Sequence, residues 1–388
     1  MPRSLLSIAA LALLWACSPA SSQQSGQVEI VFLDVGQGEA ILIRSPEGKT
    51  ALVDAGPGSV AHVLRRRYGV DSVDLAVATH PHADHVGGMA AILLSFPVRY
   101  YMDNGAPHTT STYSHLMATL QRSDITYLRA TDRAVGLGSV NIEVLPPPED
   151  ADGFNNRSIG LLVEYGEFRA LLTGDSEVEE LNHFLAAGVP QVTLLKAAHH
   201  GSRDAVTPAW LAATKPRVVV ISVGRGNSYG HPHEWALRHY DATAEAIYRT
   251  DVHGDITIRG GRDGSYEIET RFVPSNTEAV LAPGPSAVDP LGVQVSPTAP
   301  DEHAVVRNNT GRAVEIGGWG LCNAASYCFI FPDGASVAAG DSVTVYTGSG
   351  RGDGRSFYWD SRTPRWGDEG DAAILRDRTW DIVANYSY

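Results

Sequence analysis

Four side chains able to bind a metal fall within six positions: His80, His82, Asp84 and His85, in the stretch Thr79-His-Pro-His-Ala-Asp-His-Val-Gly-Gly88. Imidazole and carboxylate donors suit zinc, manganese or iron, and an Asp beside a His lets one tight turn serve two ions. A thiolate-based structural zinc site is excluded locally, because no Cys lies between Cys17 and Cys322. The competing reading is a polar loop that is merely rich in histidine. Pro81 stiffens the turn, and Gly87-Gly88 permit close packing at the start of a helix through Met89, Ala90, Ile92 and Leu93, which favours a built site.

Three further polar groups end short apolar runs. Asp54 closes Leu52-Val53-Asp54-Ala55-Gly56, Asp175 closes Leu171-Leu172-Thr173-Gly174-Asp175, and the pair His199-His200 follows Leu195-Lys196-Ala197-Ala198. A carboxylate or imidazole at the end of a buried strand is displayed where loops converge, although a solvated Asp or a turn cap is the plainer alternative for each aspartate. Adjacent side chains on an extended segment point oppositely, so one of His199 and His200 is expected to face the ions, and the residues alone leave open which.

The elements that must position these groups alternate. Strands are expected at Glu29–Asp34, Ala40–Arg44, Thr50–Asp54, Val73–Ala78, Ile159–Tyr165, Arg169–Thr173, Val192–Ala197 and Arg217–Ser222. Helices are expected at Val60–Tyr68, Val178–Ala187, Pro208–Ala213 and Glu234–Tyr240. Strands alternating with amphipathic helices imply α/β architecture with covered sheets. Residues 273–300 are rich in Pro, Ala and Ser and read as a linker, and residues 301–388 return to short strands broken by Gly, Asp and Asn. Trp319, Trp359, Trp366 and Trp380 are available there for the core of a small all-β module.

Taken together, His-x-His-x-Asp-His at 80–85, Phe32-Leu-Asp-Val-Gly-Gln-Gly-Glu-Ala40, Leu52–Gly56, Leu172–Asp175, the His-His-Gly-Ser of 199–202 and Tyr229-Gly-His-Pro232 resemble the metallo-beta-lactamase fold. More narrowly they resemble the soluble hydrolase domain of ComEC competence proteins, over residues 28–272. The resemblance implies a four-layer αββα sandwich holding two divalent ions, zinc or manganese. It places His80 and His82 on the first ion, Asp84 and His85 on the second, Asp175 between them, and His199 or His200 as the last ligand. Asp54 would support the ligand histidines by hydrogen bonding.

Many members of the wider fold carry a further histidine before the strand leading to the bridging aspartate. Here that place reads Phe154-Asn-Asn-Arg-Ser158, an Asn-rich stretch like that of ComEC-like domains, which leaves the first ion with His80, His82 and Asp175. The implied chemistry is phosphodiester hydrolysis by a metal-bound hydroxide, with Asp84 and Asp54 in the catalytic machinery. His231 or His253 is a candidate proton donor to the leaving group, and Asn156, Arg157, Lys196 and Ser202 are candidate substrate contacts. Residues 301–388 resemble a lamin-tail domain of immunoglobulin-like β-sandwich type, through Gly318-Trp319, Phe331-Pro-Asp-Gly334, Thr347-Gly-Ser-Gly350 and Tyr358-Trp359.

The N-terminal 16 residues place Arg3 before the apolar run Leu5–Ala16, the build of a secretory signal and too short to span a bilayer. Leu14-Trp-Ala-Cys17 reads as a lipobox that would lipidate Cys17 and anchor the chain to a membrane, and Ser18-Pro-Ala20 offers an ordinary cleavage site instead. Both place the protein outside the cytoplasm, with residues 17–27 as a polar tether. Cys322 and Cys328 suit that compartment and are expected to form a local disulfide.

A formal net charge of −14 over 388 residues opposes indiscriminate nucleic-acid binding. No apolar run after Cys17 is long enough to span a membrane, so the sequence reads as a free-standing relative of the channel-bearing competence proteins, with extracellular DNA as the expected substrate. The alternatives are a small-molecule phosphodiesterase of choline-ester type, and a DNA- or cell-surface-binding protein with an inactive hydrolase domain. The His-His-Gly-Ser motif and the absent histidine disfavour a beta-lactamase.

Overall fold

The computed structural model describes residues 26–274, 280, 291–297, 302–323, 327–361, 363–367, 371–378, 380 and 382–387. The expected signal segment, the lipobox with Cys17 and most of the tether lie outside the described residues.

Two sheets face each other. The strands in chain order are β1 (Gln27–Phe32), β2 (Ile41–Arg44), β3 (Thr50–Val53), β4 (Val73–Val77), β5 (Val98–Asp103), β6 (Thr126–Arg129), β7 (Arg133–Leu137), β8 (Val140–Leu145), β9 (Gly160–Tyr165), β10 (Phe168–Leu172), β11 (Leu194–Lys196), β12 (Val218–Ile221), β13 (Ala246–Arg249), β14 (Ile256–Gly261) and β15 (Tyr266–Thr270). The first sheet runs β15-β14-β1-β2-β3-β4-β5-β6 and the second β13-β12-β11-β10-β9-β8-β7. Within them β3 to β6 are mutually parallel, as are β10 to β13, and the remaining pairs are antiparallel.

Strand alternation decides the layering. Ile30, Phe32, Ile41, Ile43, Ala51 and Val53 point into the core between the sheets, where they meet Ala170, Leu172, Val218 and Val220 of the second sheet. Their neighbours Val31, Leu42 and Leu52 face outward under the helices α1 (Ala61–Arg66), α2 (Ala83–Val86), α3 (Met89–Ser95) and α4 (Ser111–Gln121). On the other side Leu171, Val219 and Ile221 lie under α5 (Val178–Ala187), α6 (Pro208–Thr214) and α7 (Glu234–Asp241). With both faces of each sheet covered, the strands are nearly continuous in apolar residues. Each fully buried Val, Leu or Ile stabilises by about 1.5–3 kcal/mol relative to exposure. The result is the four-layer αββα sandwich.

Loops that leave the carboxyl ends of β3, β4, β10 and β11 meet at one rim, the place where open parallel sheets bind ligands. They are stitched by backbone hydrogen bonds: Glu39 N–H to Asp84 O at 3.1 Å, Ala55 N–H to His85 O at 2.8 Å and Gly88 N–H to Gly56 O at 3.0 Å. A Cβ on Gly88 would lie 2.4 Å from the Ala55 carbonyl oxygen, so only glycine lets the histidine loop approach the Asp54 loop this closely.

Just after β1, Asp34 N–H donates to Asp255 Oδ1 at 2.9 Å, and burial together with the Asp255 charge pushes the Asp34 carboxyl up to about 7. The folded chain then holds a proton that the unfolded chain loses near its ordinary value of 3.8. Stability therefore falls as pH rises from about 4 to 7. Asp34→Asn should gain on the parent by ~1–3 kcal/mol between pH 4 and pH 8 in urea melts, a gap that would stay flat if the carboxyl titrated normally.

The second domain contains β16 (Leu291–Ser296), β17 (His303–Asn308), β18 (Val314–Glu315), β19 (Gly320–Cys322), β20 (Cys328–Ile330), β21 (Ser336–Val337), β22 (Ser342–Tyr346), β23 (Ser356–Tyr358), β24 (Ala372–Arg376) and β25 (Ile382–Ser387). Sheets β16-β17-β22-β23 and β20-β19-β24-β25 enclose a core that includes Val306, Leu321, Phe331, Val345 and Trp366. β16 falls inside the stretch read as linker, because Leu291 and Val293 pair with β17 and bury their side chains; the all-β domain starts before residue 301. Cys322 and Cys328 are joined by a disulfide.

This domain rests on the first through the outer face of β24. Ala373 and Leu375 point into the β-sandwich core, while Ala372 and Ile374, both 0% exposed, point away from it. Ile374 sits so close to Gly58 that a Cβ there would lie 1.9 Å from its Cδ1. Arg376 Nη2 donates to Ser59 O, and Trp380 faces His62 with ring centroids 6.0 Å apart.

Candidate metal centre

Asp175 Oδ2 is the hub of the site. It lies 3.2 Å from His85 Nε2, 3.3 Å from His200 Nε2, and 3.9 Å from both His80 Nε2 and His199 Nε2. Asp84 Oδ2 closes one side, 3.4 Å from His200 Nε2 and 3.9 Å from His85 Nε2. On the other side His80 Nε2 and His82 Nδ1 are 3.0 Å apart.

These side chains are held from behind. Asp54, fully buried and in the left-handed region at φ 56°, accepts from His85 Nδ1 at 2.6 Å, from Thr79 N–H at 2.8 Å and from Thr79 Oγ1 at 2.7 Å. That fixes the His85 tautomer and leaves Nε2 facing Asp175. His200 is fixed likewise, with Nδ1 donating to Ser222 O at 2.8 Å. Ser158 Oγ accepts from the Asp175 N–H at 3.0 Å and stands 3.4 Å from His80 Nδ1.

Burial alone would push His85 down, but Asp175, Asp54 and Asp84 pull it well above its ordinary range. Burial likewise opposes ionisation of Asp175, and His200, His85 and His199 outweigh it and hold the carboxyl well below the usual range. His200 is raised to about 9 against its burial, chiefly by Asp175. Protons on the ring nitrogens stand where cations would sit, so loading divalent ions would release protons.

The donor set fits such ions. His85 Nε2, His200 Nε2 and Asp175 Oδ1 are buried without a hydrogen-bond partner, although buried polar atoms are normally paired. Two ligand atoms on one tetrahedral ion, at bonds of about 2.0–2.2 Å, stand roughly 3.4 Å apart, close to the spacings around Asp175 Oδ2. Asp84, His85, Asp175 and His200 form one cluster whose ligand atoms all lie within 4.8 Å of each other.

Several sequence expectations are corrected here. His199 and His200 are not extended: both adopt left-handed backbone, at φ 46° and 55°, and this turn, not strand alternation, separates their rings. His200 is buried against Asp84 and Asp175, whereas His199 is partly exposed, with Nδ1 3.3 Å from Glu177 Oε1. Lys196 is not available to substrate: it is 0% exposed, donates to Gly174 O at 2.6 Å and pairs with buried Glu39.

Asn156 is also structural. Its Oδ1 accepts from Glu177 N–H at 3.1 Å and from Glu180 N–H at 3.4 Å, capping the start of α5. Its neighbour Asn155 faces the centre instead, with Nδ2 3.5 Å from His199 Nε2 and 2.9 Å from Glu177 Oε1. Ser202 is buried and its Oγ accepts from Asp204 N–H at 3.4 Å, a turn cap. Arg157 folds back on its own loop, Nε donating to Ala151 O at 3.0 Å.

Of the two candidate proton donors, His253 is not brought to the centre. It is buried in the helix Thr250–His253, with Nδ1 3.0 Å from Arg249 O and its ring against Tyr248. His231 is, with its ring 5.3 Å from that of His199 and 6.4 Å from that of His200. Burial and the neighbouring His200, His199 and His233 press it down to about 3, so it stands there as a neutral ring.

Glu39, Thr79, Asn155 and Ser158 had no assigned role in the sequence. The one available signal was a lone charge in an apolar setting: Lys196 in Leu-Leu-Lys-Ala-Ala, and Glu39 between Gly38 and an apolar strand.

A buried His/Asp cluster at the rim of an αββα sandwich defines a metal-dependent hydrolase domain. Residues 33–225 match the family model described as the metallo-beta-lactamase superfamily, and residues 280–388 match that of the Lamin Tail Domain. The chain therefore carries a metallo-beta-lactamase domain followed by a Lamin Tail Domain, and its relatives include competence proteins. It is 24% identical over 269 residues to ComE operon protein 3 of Bacillus subtilis, covering 63% of this chain and 34% of that protein. To Recombination protein 2 of Haemophilus influenzae it is 28% identical over 260 residues, covering 63% and 31%. The chain thus spans about a third of the length of these curated relatives. Among solved structures, the metallo-beta-lactamase fold protein YhfI from Bacillus subtilis aligns with a TM-score of 0.41 at 13% identity, over 60% of this chain and 100% of that one.

Proposed function

We propose that the chain is an extracytoplasmic, metal-dependent phosphodiesterase that cleaves DNA. The observation that carries this reading is Asp175 Oδ2, set within 3.9 Å of four imidazole nitrogens. In this assignment His80, His82 and Asp175 hold one ion, and Asp84, His85, His200 and Asp175 hold the other. When bound, two divalent cations, zinc or manganese, would lower the pKa of water and neutralise charge building on a phosphoryl group, worth several kcal/mol.

The chain's own contribution is arrangement. Glu39, Asp54, Asp84 and Asp175 meet His85, His200 and Lys196, and once the two histidines give up their protons to act as neutral ligands, Lys196 is the one cation left against these four carboxylates, an excess of negative charge that two divalent ions would more than offset. An anionic diester suits the surplus. His199, with Asn155 and Glu177 beside it, is oriented toward the open side and is assigned to the substrate, as is neutral His231. The competence-protein relatives favour DNA. The Cys322–Cys328 disulfide fits an oxidising compartment, and no helix among the described residues is long and apolar enough to cross a membrane. A lipid on Cys17 would then tether the enzyme to the membrane.

The test is hydrolysis of single- and double-stranded DNA and of bis-p-nitrophenyl phosphate by metal-stripped protein resupplied with zinc or manganese. Metal-restored DNA cleavage that is absent in Asp84→Ala is the expected result. Cleavage of the small diester alone would replace DNA with a small phosphodiester, and hydrolysis of neither would refute the enzyme.

A further inference from the structure

The rings at the centre form a row. Phe154 lies 5.9 Å from His82, His82 lies 4.7 Å from His80, His80 lies 4.2 Å from His85, and His85 lies 5.3 Å from His200, all between ring centroids. His200 lies 6.4 Å from His231, and His231 stacks on Tyr229 at 5.7 Å with 23° between their planes. The candidate ligand histidines occupy the middle, and a Phe ring stands at one end and a Tyr ring at the other.

Neither end is an accident of packing. Tyr229 is 59% exposed, an unfavourable setting for so large a ring, yet its turn is hydrogen-bonded from within. Buried Asn227 pins it, its Oδ1 accepting from Tyr229 N–H at 3.2 Å and His231 N–H at 3.0 Å, and its Nδ2 donating to Gly224 O at 2.9 Å. Tyr229 adjoins the centre through His231, whose ring lies 6.4 Å from that of His200. At the other end Phe154 is half-buried and packed edge-on against His108 at 4.7 Å, with 67° between planes. Held aromatic faces beside a phosphate-cleaving centre are suited to stacking on nucleobases, which every base permits whatever its sequence and which paired bases inside a duplex do not offer.

We infer, resting on the nuclease reading above, that Tyr229 backed by His231 and Phe154 backed by His108 are base-stacking platforms flanking the scissile phosphate, so that the enzyme selects a single strand with unpaired bases. A net chain charge of −14 opposes long-range attraction to the phosphate backbone, and stacking is a source of affinity that this charge does not oppose.

The test compares KM on a single-stranded oligothymidylate with KM on an abasic oligonucleotide of the same backbone, using the metal-loaded full chain. The expected result is a lower KM for the base-bearing strand by roughly tenfold, a ratio that falls in Tyr229→Ala, collapses toward one when Phe154→Ala is added to it, and is kept in Tyr229→Trp. Equal KM on the two strands in the parent enzyme, or a ratio unmoved in Tyr229→Ala, would overturn the stacking platforms and leave the nuclease standing. Cleavage of neither strand by the parent would overturn the nuclease reading and the platforms with it.

Discussion

Asp175→Ala should abolish hydrolysis, lowering kcat/KM by at least ~10³-fold, because on the proposed assignment this carboxylate would hold the two ions together and with them several kcal/mol of transition-state stabilisation. Among the described residues no other side chain reaches so many of the ring nitrogens. His85 and His200 approach the same oxygen at 3.2 and 3.3 Å, and His80 approaches it from the other half of the site at 3.9 Å. Metal content measured on the purified variant should fall along with activity, while circular dichroism stays unchanged. Full activity with full metal loading in Asp175→Ala would remove the bridging role. Asp175→Asn, which keeps one carbonyl oxygen, should fall between the two.

Lys196→Met should cost about 3–5 kcal/mol of stability, the range found when one partner of a buried pair is removed and the other is left charged and dry. Lys196 and Glu39 are both 0% exposed, and Glu39 and Asp175 keep Lys196 charged in spite of its burial. Adding Glu39→Gln to the same chain should recover most of the loss, since the uncompensated charge disappears with it. Urea melts of the two single variants and the double variant complete a cycle that isolates the pair. A loss below about 1 kcal/mol in Lys196→Met would show that the pair is not held as described, or that Glu39 takes up a proton at little cost.

The strands leading into the metal centre were legible because burial on both faces makes them nearly continuous in apolar residues. β3, β4, β11 and β12 fall within the expected runs, β10 starts one residue before its own, and each expected helix appears within a few residues. The polar groups at their ends stood out against that background. Residues 98–145 carry β5 to β8 and were not read, because strands such as Thr126–Arg129 and Arg133–Leu137 lie at sheet edges where charged residues interrupt the alternation. The metal-site loops were legible in composition but not in conformation. That His199 and His200 both turn left-handed follows from packing of the Ala197–Ser202 loop against its surroundings, and an extended reading of that stretch gave the wrong reason for their divergence. Asn155 and Asn156 are neighbours of one type, and only the position of α5 decides that Asn156 caps a helix while Asn155 faces His199. Lys196 was read as a phosphate contact because a lone cation near a phosphate-type site is usually exposed; burial reverses its meaning.

The seat of β24 on the loop after Asp54 joins residues 317 positions apart, Ser59 and Arg376. Ribosomes add about 5–20 residues per second, so some 15–60 s separate the synthesis of that loop from that of the strand that roofs it. For that interval the newborn hydrolase domain shows water the ground that Ile374 will cover, a few residues from the carboxylate that orients His85. The packing of that loop is thereby tied to time, since its cover is made more than 300 residues after it.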